Sequence, residues 1–293
     1  MQIAFHFGLH CTDEDRLLRS LLQNQGKLGP LGISVPGPGR YRDDFVKAAE
    51  KLQGAPASAE TQSVLLESVL DQDDAKRVIL SHENFICMPS WIFEAGRFYA
   101  RAEYKPKWYR NLFPDHSVEF FLSIRNPVTL LPDLMRHKWQ NHDHVDALLQ
   151  GAKIDNLRWP LVIDMFRTAV PDAPVTVWCN EDTPFIWPEV LAAVADTPPD
   201  LPLKGGLNIA SRIIEKEGYR RLRTYLINHP PTSNTARHKI ISVFIEKYGI
   251  PEAIEEEVEL PGATEEMVDR VTQNYEADLD IIAEMEGVRL IST

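Results

Sequence analysis

Short apolar runs alternate with longer amphipathic stretches through the first two thirds of the chain. Four of these runs are rich in β-branched and aromatic residues and end at turn or polar residues: 2–7 (QIAFHF), 77–81 (RVILS), 118–124 (VEFFLSI) and 175–179 (VTVWC). Continuous apolar runs of this length are typical of strands that helices cover on both faces. The runs therefore predict the buried strands of a parallel sheet.

Elsewhere the apolar residues recur at three- and four-residue spacing, which predicts amphipathic helices. The predicted helices cover 13–25, 43–53, 59–70, 156–169, 187–197, 210–228, 236–249 and 264–287. Strands that alternate with helices favour an α/β fold with a parallel sheet flanked by helices, in the doubly wound style. We predict one domain over 1–293, with a helix-rich C-terminal half whose helical part covers about 205–293.

The composition is that of an ordinary globular protein, with 44% hydrophobic and 25% charged residues. The net charge of −12 disfavours nucleic acid and anionic lipid as partners, and no basic run is interleaved with aromatic residues. No apolar run is long enough to span a bilayer, and the N-terminus lacks the pattern of a signal peptide. Cys11, Cys87 and Cys179 are too far apart in sequence to suggest a disulfide framework or zinc. We expect a soluble, reduced, cytoplasmic protein.

The first strand, turn and helix have the layout that many proteins use to hold a phosphate. The first amides of a helix lack intrahelical partners and attract anions. Here Thr12 is predicted as the N-cap, and three acids, Asp13, Glu14 and Asp15, fill the first turn. Asp15 follows Thr12 by three residues, as in an imperfect capping box. The chain can therefore supply the negative charge from its own carboxylates.

Segment 6–37 (HFGLHCTDEDRLLRSLLQNQGKLGPLGISVPG) resembles the N-terminal segment of the bacterial P-loop sulfotransferases, which use 3′-phosphoadenosine 5′-phosphosulfate (PAPS). The positions that keep the family's frame are His6, Gly8, Leu9, His10, Thr12, Leu17, Leu22, Asn24, Leu28, Gly32 and Pro36. Segments 78–85, 120–127, 175–184 and 275–291 are similar to later landmarks of the family, the last of them to its C-terminal helix. The resemblance thus spans nearly the whole chain.

This resemblance implies a P-loop NTPase-like sheet and the transfer of a sulfuryl group from PAPS to a hydroxyl or amine of a carbohydrate or small molecule. It places Thr12 and the turn amides at the 5′-phosphosulfate, with Cys11 where the family has a lysine. It also places Arg125 at the 3′-phosphate, with position 133, a serine in the family, beside it. Asp133 stands there in this chain. The structural alternative is that Arg125 is a strand-end arginine that pairs with a nearby acid.

The departures from the family pattern all remove favourable contacts with phosphate. Cys11 replaces a cation, and Asp13 and Asp133 place anions where a glycine and a serine are expected. A carboxylate at about 5 Å from a phosphate costs roughly 3 kcal/mol at an effective dielectric constant of 20. Pro132 is also expected to interrupt the helix that follows Arg125. We therefore expect the cofactor site to be impaired.

Acid–base candidates cluster at the end of the strand 77–81 and in the first turn. His82 and Glu83 follow that strand, at the sheet edge where open α/β folds bind ligands, and His6 and His10 flank the first turn. Any of the four could act as the base for an acceptor hydroxyl. The structural alternatives are that Glu83 caps a turn and that His6 is a hydrogen-bonded core residue.

Two further clusters have two interpretations each. His137, His142 and His144, with Asp143 and Asp146, invite a metal hypothesis, but their spacing matches no strong signature, and we predict a polar turn and no metal. The basic run 219–223 (YRRLR) either closes over an anion or forms a solvated helix face paired with acids.

Three functional hypotheses follow. The first is a divergent sulfotransferase that uses PAPS with an impaired cofactor site. The alternative is a non-catalytic pseudoenzyme that needs no cofactor and serves as a binding or interaction module, with a protein as a possible partner. The third is an enzyme with another donor, in which a cation bridges the acids to a phosphate.

Overall fold

Six parallel strands form one sheet at the centre of the fold. The structure is a computed structural model that describes residues 1–136, 144–198, 201–254, 260 and 262–293. The strands are β1 (Gln2–His6), β2 (Ile33–Ser34), β3 (Arg77–Ser81), β4 (Ser117–Ile124), β5 (Val175–Cys179) and β6 (Val288–Ile291). Their order across the sheet is β2-β3-β1-β4-β5-β6. The predicted α/β class with a parallel sheet flanked by helices is confirmed.

Helices connect the strands and form most of the C-terminal half. In chain order they are α1 (Arg16–Leu22), α2 (Gln25–Leu28), α3 (Arg42–Leu52), α4 (Ala59–Val69), α5 (Lys105–Arg110), α6 (Pro127–Arg136), α7 (Val145–Leu149), α8 (Trp159–Ala169), α9 (Thr183–Ala195), α10 (Ala210–Ile213), α11 (Lys216–Asn228), α12 (Asn234–Tyr248), α13 (Pro251–Ile254) and α14 (Glu265–Glu284). Short 3₁₀ turns, among them Glu83–Phe85, complete several connections.

The two faces of the sheet are buried in separate hydrophobic clusters because successive side chains of a strand point to opposite faces. In β1, Ile3 and Phe5 belong to the larger cluster, and Ala4 between them belongs to the other. The same division separates Leu122 from Phe121 in β4. Helices cover both faces, which explains why the strand sequences are apolar at nearly every position.

The four predicted strands are confirmed, whereas β2 and β6 were not predicted. Ile33 and Ser34 lie between two predicted helices, and they pair with β3. Residues Val288–Ile291, taken with the C-terminal helix in the sequence comparison, form an edge strand that pairs with β5. Both strands are short, so the period-two signal that identifies a strand is weak in each.

Three helix predictions differ from the structure. Helix α1 begins at Arg16, later than position 13, because the acidic residues before it form a loop. The predicted helix 210–228 is divided into α10 and α11, and Ile214 between them forms an isolated β-bridge with Gly249. Helix α6 continues through Pro132, so the predicted interruption there is wrong.

The helices after β5 add a small core of their own. Ala210, Ile214, Leu222 and Ile241 form this cluster, and Phe185 of α9 packs against both it and the sheet. In the part of the chain that the structure describes, no helix combines the length and the apolar character needed to cross a bilayer. The predicted boundaries of a single domain stay a prediction.

Candidate functional site

The candidate site lies at the carboxyl edge of the sheet, between β1 and β4. The connection that leaves β1 runs towards β2 on one side, and the connection that leaves β4 runs towards β5 on the other. Neighbouring strands that diverge in this way leave a crevice where open α/β sheets bind ligands. Here Arg125, directly after β4, bridges the crevice by donating a hydrogen bond to the Cys11 carbonyl oxygen at 2.7 Å.

The loop between β1 and α1 is held by its own hydrogen bonds. The Thr12 hydroxyl donates to the carbonyl oxygens of Gly8 and Leu9, at 2.5 and 2.8 Å. The residue at the N-cap position is Asp15, with a left-handed φ of 63°. The prediction of Thr12 as the N-cap is therefore wrong, because its hydroxyl points back into the loop and not towards the helix amides.

Asp13 supplies the negative charge at the start of α1. Its Oδ2 accepts the backbone N–H of Leu17 at 3.0 Å, and its carbonyl oxygen accepts that of Arg16 at 2.8 Å. Burial raises the pKa of Asp13 to about 6, although the hydrogen bond from Leu17 works in the opposite direction. A carboxylate of the chain itself thus occupies the position at the helix N-terminus that favours anions.

The other two acids of the loop form ion pairs. Asp15 accepts two hydrogen bonds from Arg42, at 2.5 Å from Nη2 to Oδ1 and at 3.2 Å from Nη1 to Oδ2. Burial opposes ionisation, but the pairing with Arg42 outweighs it and lowers the pKa of Asp15. The more exposed Glu14 pairs with Arg16 at 2.5 Å. The predicted capping role of Asp15 is therefore replaced by an ion pair with a different element.

Arg125 is buried and its guanidinium contacts an acid of the following helix. Nη1 lies 2.5 Å from Oδ2 of Asp133, and Nε donates to the Thr129 hydroxyl at 3.0 Å. Helix α6 brings Asp133 to this point, two turns after Arg125, since Pro132 does not end the helix. The arginine assigned by the resemblance to the 3′-phosphate therefore has an anion of the chain against it.

An acidic cavity of about 510 Å³ opens beside this loop. Cys11, Ser81 and Arg136 contribute to its wall. The rest of the wall consists of five carboxylate residues: Asp13, Glu14, Asp15, Glu83 and Asp133. Acids outnumber the one arginine in this wall, which disfavours phosphate and sulfate, and arginines pair with three of these acids, Glu14, Asp15 and Asp133.

Three of the four predicted bases, Glu83, His10 and His82, have different surroundings. Glu83 lines the acidic cavity from the 3₁₀ turn after β3. His10 is buried, with Nδ1 at 3.0 Å from the Tyr99 hydroxyl and Nε2 at 3.1 Å from the Asn84 side-chain oxygen. Burial, and then the nearby Arg42, lowers the pKa of His82 to about 3, so its ring is a weak base at neutral pH.

His6 and Cys11 have structural environments. His6 is fully buried in β1, with Nδ1 at 2.9 Å from the Ser81 hydroxyl, which supports its interpretation as a hydrogen-bonded core residue. Burial, and then the nearby carboxylate of Asp133, raise the pKa of the Cys11 thiol to about 12. A neutral thiol therefore stands where the resemblance implies a lysine. Cys11, Cys87 and Cys179 are all free.

A second cavity also contacts the first loop, and we call it the mixed cleft because arginines and aromatic residues line it. It has a volume of about 460 Å³ and contains three arginines, Arg16, Arg125 and Arg212, next to Phe185 and Trp187. The sequence analysis missed Arg212 and both aromatic residues, since α9 and α10 reach the crevice only through the packing of the C-terminal helices. Within the described part of the chain, the buried indole N–H of Trp187 has no hydrogen-bond partner.

The predicted polar turn with His137, His142 and Asp143 lies outside the described residues. His144 and Asp146 of the same cluster are described and stand at the start of α7. Among residues 1–136, 144–198, 201–254, 260 and 262–293, no group of three or more His, Cys, Asp or Glu side chains is arranged to hold a metal ion. The hypothesis of a cation that bridges the acids thus gains no geometric support.

Comparison of the chain with protein-family models, with curated proteins and with solved structures gives no match. The similarity to sulfotransferases therefore rests on the sequence motifs and stays a prediction. The site must be interpreted from its own geometry, namely two carboxylates of the chain at the two positions that the motifs assign to phosphates.

Proposed function

We propose that this protein is a non-catalytic, sulfotransferase-like binding or interaction module whose donor site is filled by its own carboxylates. The observation that carries the proposal is the contact between Arg125 and Asp133 at 2.5 Å. The guanidinium that would hold the 3′-phosphate of the donor is already paired with an acid of the next helix, which Arg136 also contacts at 3.1 Å.

A donor nucleotide would have to compete with Asp133 for Arg125. If Asp133 stayed in place, the phosphate would lie near a carboxylate, and two such charges about 5 Å apart repel by roughly 3 kcal/mol at an effective dielectric constant of 20. If Asp133 moved away, an ion pair in which the Arg125 side chain is only 6% exposed would be broken. Either way, the affinity for the nucleotide falls by powers of ten.

The first loop opposes the donor independently. The amide of Leu17 is engaged with Asp13, and the side chain at the position of the family's lysine is the neutral thiol of Cys11. The 5′-phosphosulfate would therefore meet an anion without a compensating cation from that position. Two separate contacts have changed in the same direction, which favours a lost donor site over a merely weakened one.

The catalytic alternative depends mainly on Glu83. It is the predicted base that lines the acidic cavity, and an acceptor hydroxyl or amine would have to reach it there. The transferred sulfuryl group is itself anionic in PAPS, so the four other carboxylates around this cavity disfavour its entry. This arrangement supports the non-catalytic module more than a divergent sulfotransferase.

Isothermal titration with 3′-phosphoadenosine 5′-phosphate tests the proposal. We expect no detectable heat up to about 1 mM nucleotide, the concentration that corresponds to a binding free energy near −4 kcal/mol. Micromolar binding without metal would contradict the proposal and favour the PAPS-dependent enzyme. Binding that requires magnesium would also contradict it, in favour of the cation-bridged alternative.

A further inference from the structure

The hairpin of α11 and α12 differs in charge from the rest of the molecule. Residues 216–248 contain seven Lys or Arg and two Glu, a net charge of +5 in a chain whose total is −12, so the remaining residues carry −17. Charge asymmetry of this size between a segment and its surroundings is typical of an interaction surface.

The two helices enclose a groove of about 830 Å³, which we call the hairpin groove. Arg220, Arg221 and Lys247 line it, and the acid among its lining residues, Glu217, pairs with both arginines at 2.6 and 2.9 Å. Because one carboxylate serves two guanidinium groups, the groove keeps a net positive charge.

Aromatic side chains line the hairpin groove. The rings of Tyr225 and His229 stack with their centroids 4.6 Å apart, and the centroid of Phe244 lies 6.0 Å from that of Tyr225. Phe244 also stacks on Tyr248 at 5.9 Å. This run of rings crosses from α11 to α12, so the groove is lined by aromatic side chains together with cations.

The groove also exposes aliphatic surface. Val243 within it is 59% exposed. Apolar side chains of this size that stand beside a rim of charged residues mark protein-binding surfaces. A groove between two helices that is lined by aromatic and aliphatic side chains accommodates a short amphipathic segment.

We propose that the hairpin groove binds an acidic, amphipathic peptide segment of a partner protein. Carboxylates of the segment would pair with Arg220, Arg221 and Lys247, and its apolar side chains would contact Tyr225 and Val243. This proposal names the surface and the partner chemistry of the interaction module proposed above, but it uses residues other than those of the donor site.

Charge favours a short peptide over an extended polyanion. An anionic bilayer or a nucleic acid reaches beyond the hairpin and would meet the remainder of the chain, with its charge of −17. A short segment contacts the hairpin alone and avoids that repulsion.

Fluorescence polarisation with a labelled peptide tests the proposal on the full chain. The probe is a peptide of about 14 residues with leucine at helical spacing and glutamate elsewhere, and the control probe has lysine at every glutamate position. We expect saturable binding of the acidic probe that weakens with added salt, and no binding of the basic one.

Three variants locate the contact. Arg221→Gln with Lys247→Gln should weaken binding of the acidic probe about ten-fold through two lost charge contacts. Val243→Ser removes an exposed apolar contact and should weaken it about three-fold. Lys47→Glu is the matched control, since this lysine of α3 has a side chain that is 73% exposed and lies outside the hairpin. It should leave the affinity unchanged.

Three outcomes would overturn the proposal: absence of binding at about 1 mM protein, equal affinity of all variants for the probe, or binding of the chain to vesicles of anionic lipid in preference to the peptide. Circular dichroism of each variant confirms that the helices are intact. The outcome is separable from that of the donor-site proposal, because a chain that binds the nucleotide can still bind or fail to bind the peptide.

Discussion

The carboxylate of Asp133 in α6 lies 2.5 Å from the guanidinium of Arg125. Arg125 directly follows β4, and Asp133 comes eight residues later in the sequence. Arg125 also donates to the Cys11 carbonyl oxygen at 2.7 Å and so joins the loops after β1 and β4. Arg125 therefore links the two loops that border the crevice of the sheet. An enzyme of the resembling family would use the same position to hold a phosphate.

Removing the two carboxylates should restore anion binding. In the double variant Asp13→Asn with Asp133→Ser, Arg125 loses the carboxylate of Asp133, and the backbone N–H of Leu17 loses that of Asp13. We expect binding of 3′-phosphoadenosine 5′-phosphate to become measurable by titration, with a gain of at least about ten-fold over the wild type. Asp172→Ser is the control, because Asp172 pairs with Arg110 at the surface. Undetectable binding in the double variant would show that other features exclude the nucleotide.

The stability of the protein should depend on pH through Asp13. Because burial raises its pKa from 3.8 to about 6 in the folded state, the folded chain binds more protons than the unfolded chain between these values. The free energy of unfolding that Asp13 contributes is therefore highest below the unfolded pKa and falls as the pH rises towards 6.

The variant Asp13→Asn has no carboxyl group to titrate at this position, so its comparison with the wild type measures the contribution of Asp13. Its free energy of unfolding relative to the wild type should rise by about 2 kcal/mol between about pH 4 and about pH 8. Urea denaturation across this range gives the difference, and Asp172→Asn serves as the exposed control. A difference that does not change with pH would contradict the raised pKa of Asp13.

Asp278 should anchor α14 to the start of α8. It is fully buried, and its carboxylate accepts hydrogen bonds from the backbone N–H of Trp159 at 2.9 Å and from Nε of Arg158 at 2.6 Å. Asp278→Ala leaves the arginine and the amide without this acceptor and should lower the free energy of unfolding by about 3 kcal/mol. The exposed Asp280 of the same helix is the matched control, and Asp280→Ala should change it by less than about 0.5 kcal/mol. Chemical denaturation measures both, and equal effects would refute the anchoring role.

Gly218 should be required for the close approach of α11 to α12. A Cβ atom added there would lie 2.3 Å from Cβ of Tyr248 and 3.0 Å from a methyl carbon of Ile214. Gly218→Ala should therefore lower the free energy of unfolding by about 2 kcal/mol despite the better helix propensity of alanine. Gly26→Ala in α2, where nothing lies within 4 Å, should be neutral or stabilising by up to about 1 kcal/mol. Thermal unfolding distinguishes them, and a stabilised Gly218→Ala would exclude tight packing at this point.

The strands show which elements can be predicted from the local sequence. Runs such as 118–124 are apolar because both faces of the sheet are covered, and this property can be detected without any contact being known. The edge strands β2 and β6 have two and four residues, and their pairing depends on the neighbouring strands and not on their own pattern. They could not be found by periodicity.

The first loop shows where local rules fail. Thr12 followed by three acids satisfies the usual signals for a helix start, yet the hydroxyl of Thr12 bonds to Gly8 and Leu9 while Asp13 caps the helix amide. Arg42, 27 positions after Asp15, takes the carboxylate that the capping pattern had assigned to the helix. A competing partner from another element decided the geometry.

The amino-acid sequence by itself determined the layers of this protein, because burial on one or both faces fixes the spacing of apolar residues within each segment. It also determined that acidic residues stand at the two positions that the sulfotransferase-like motifs assign to phosphate binding. Only the tertiary structure decided that Asp13 and Asp133 meet a helix amide and Arg125, and that α11 and α12 join cations and rings into one groove. Periodicity is a local property, whereas the partner of a charge depends on which distant segments the chain brings within a few ångströms.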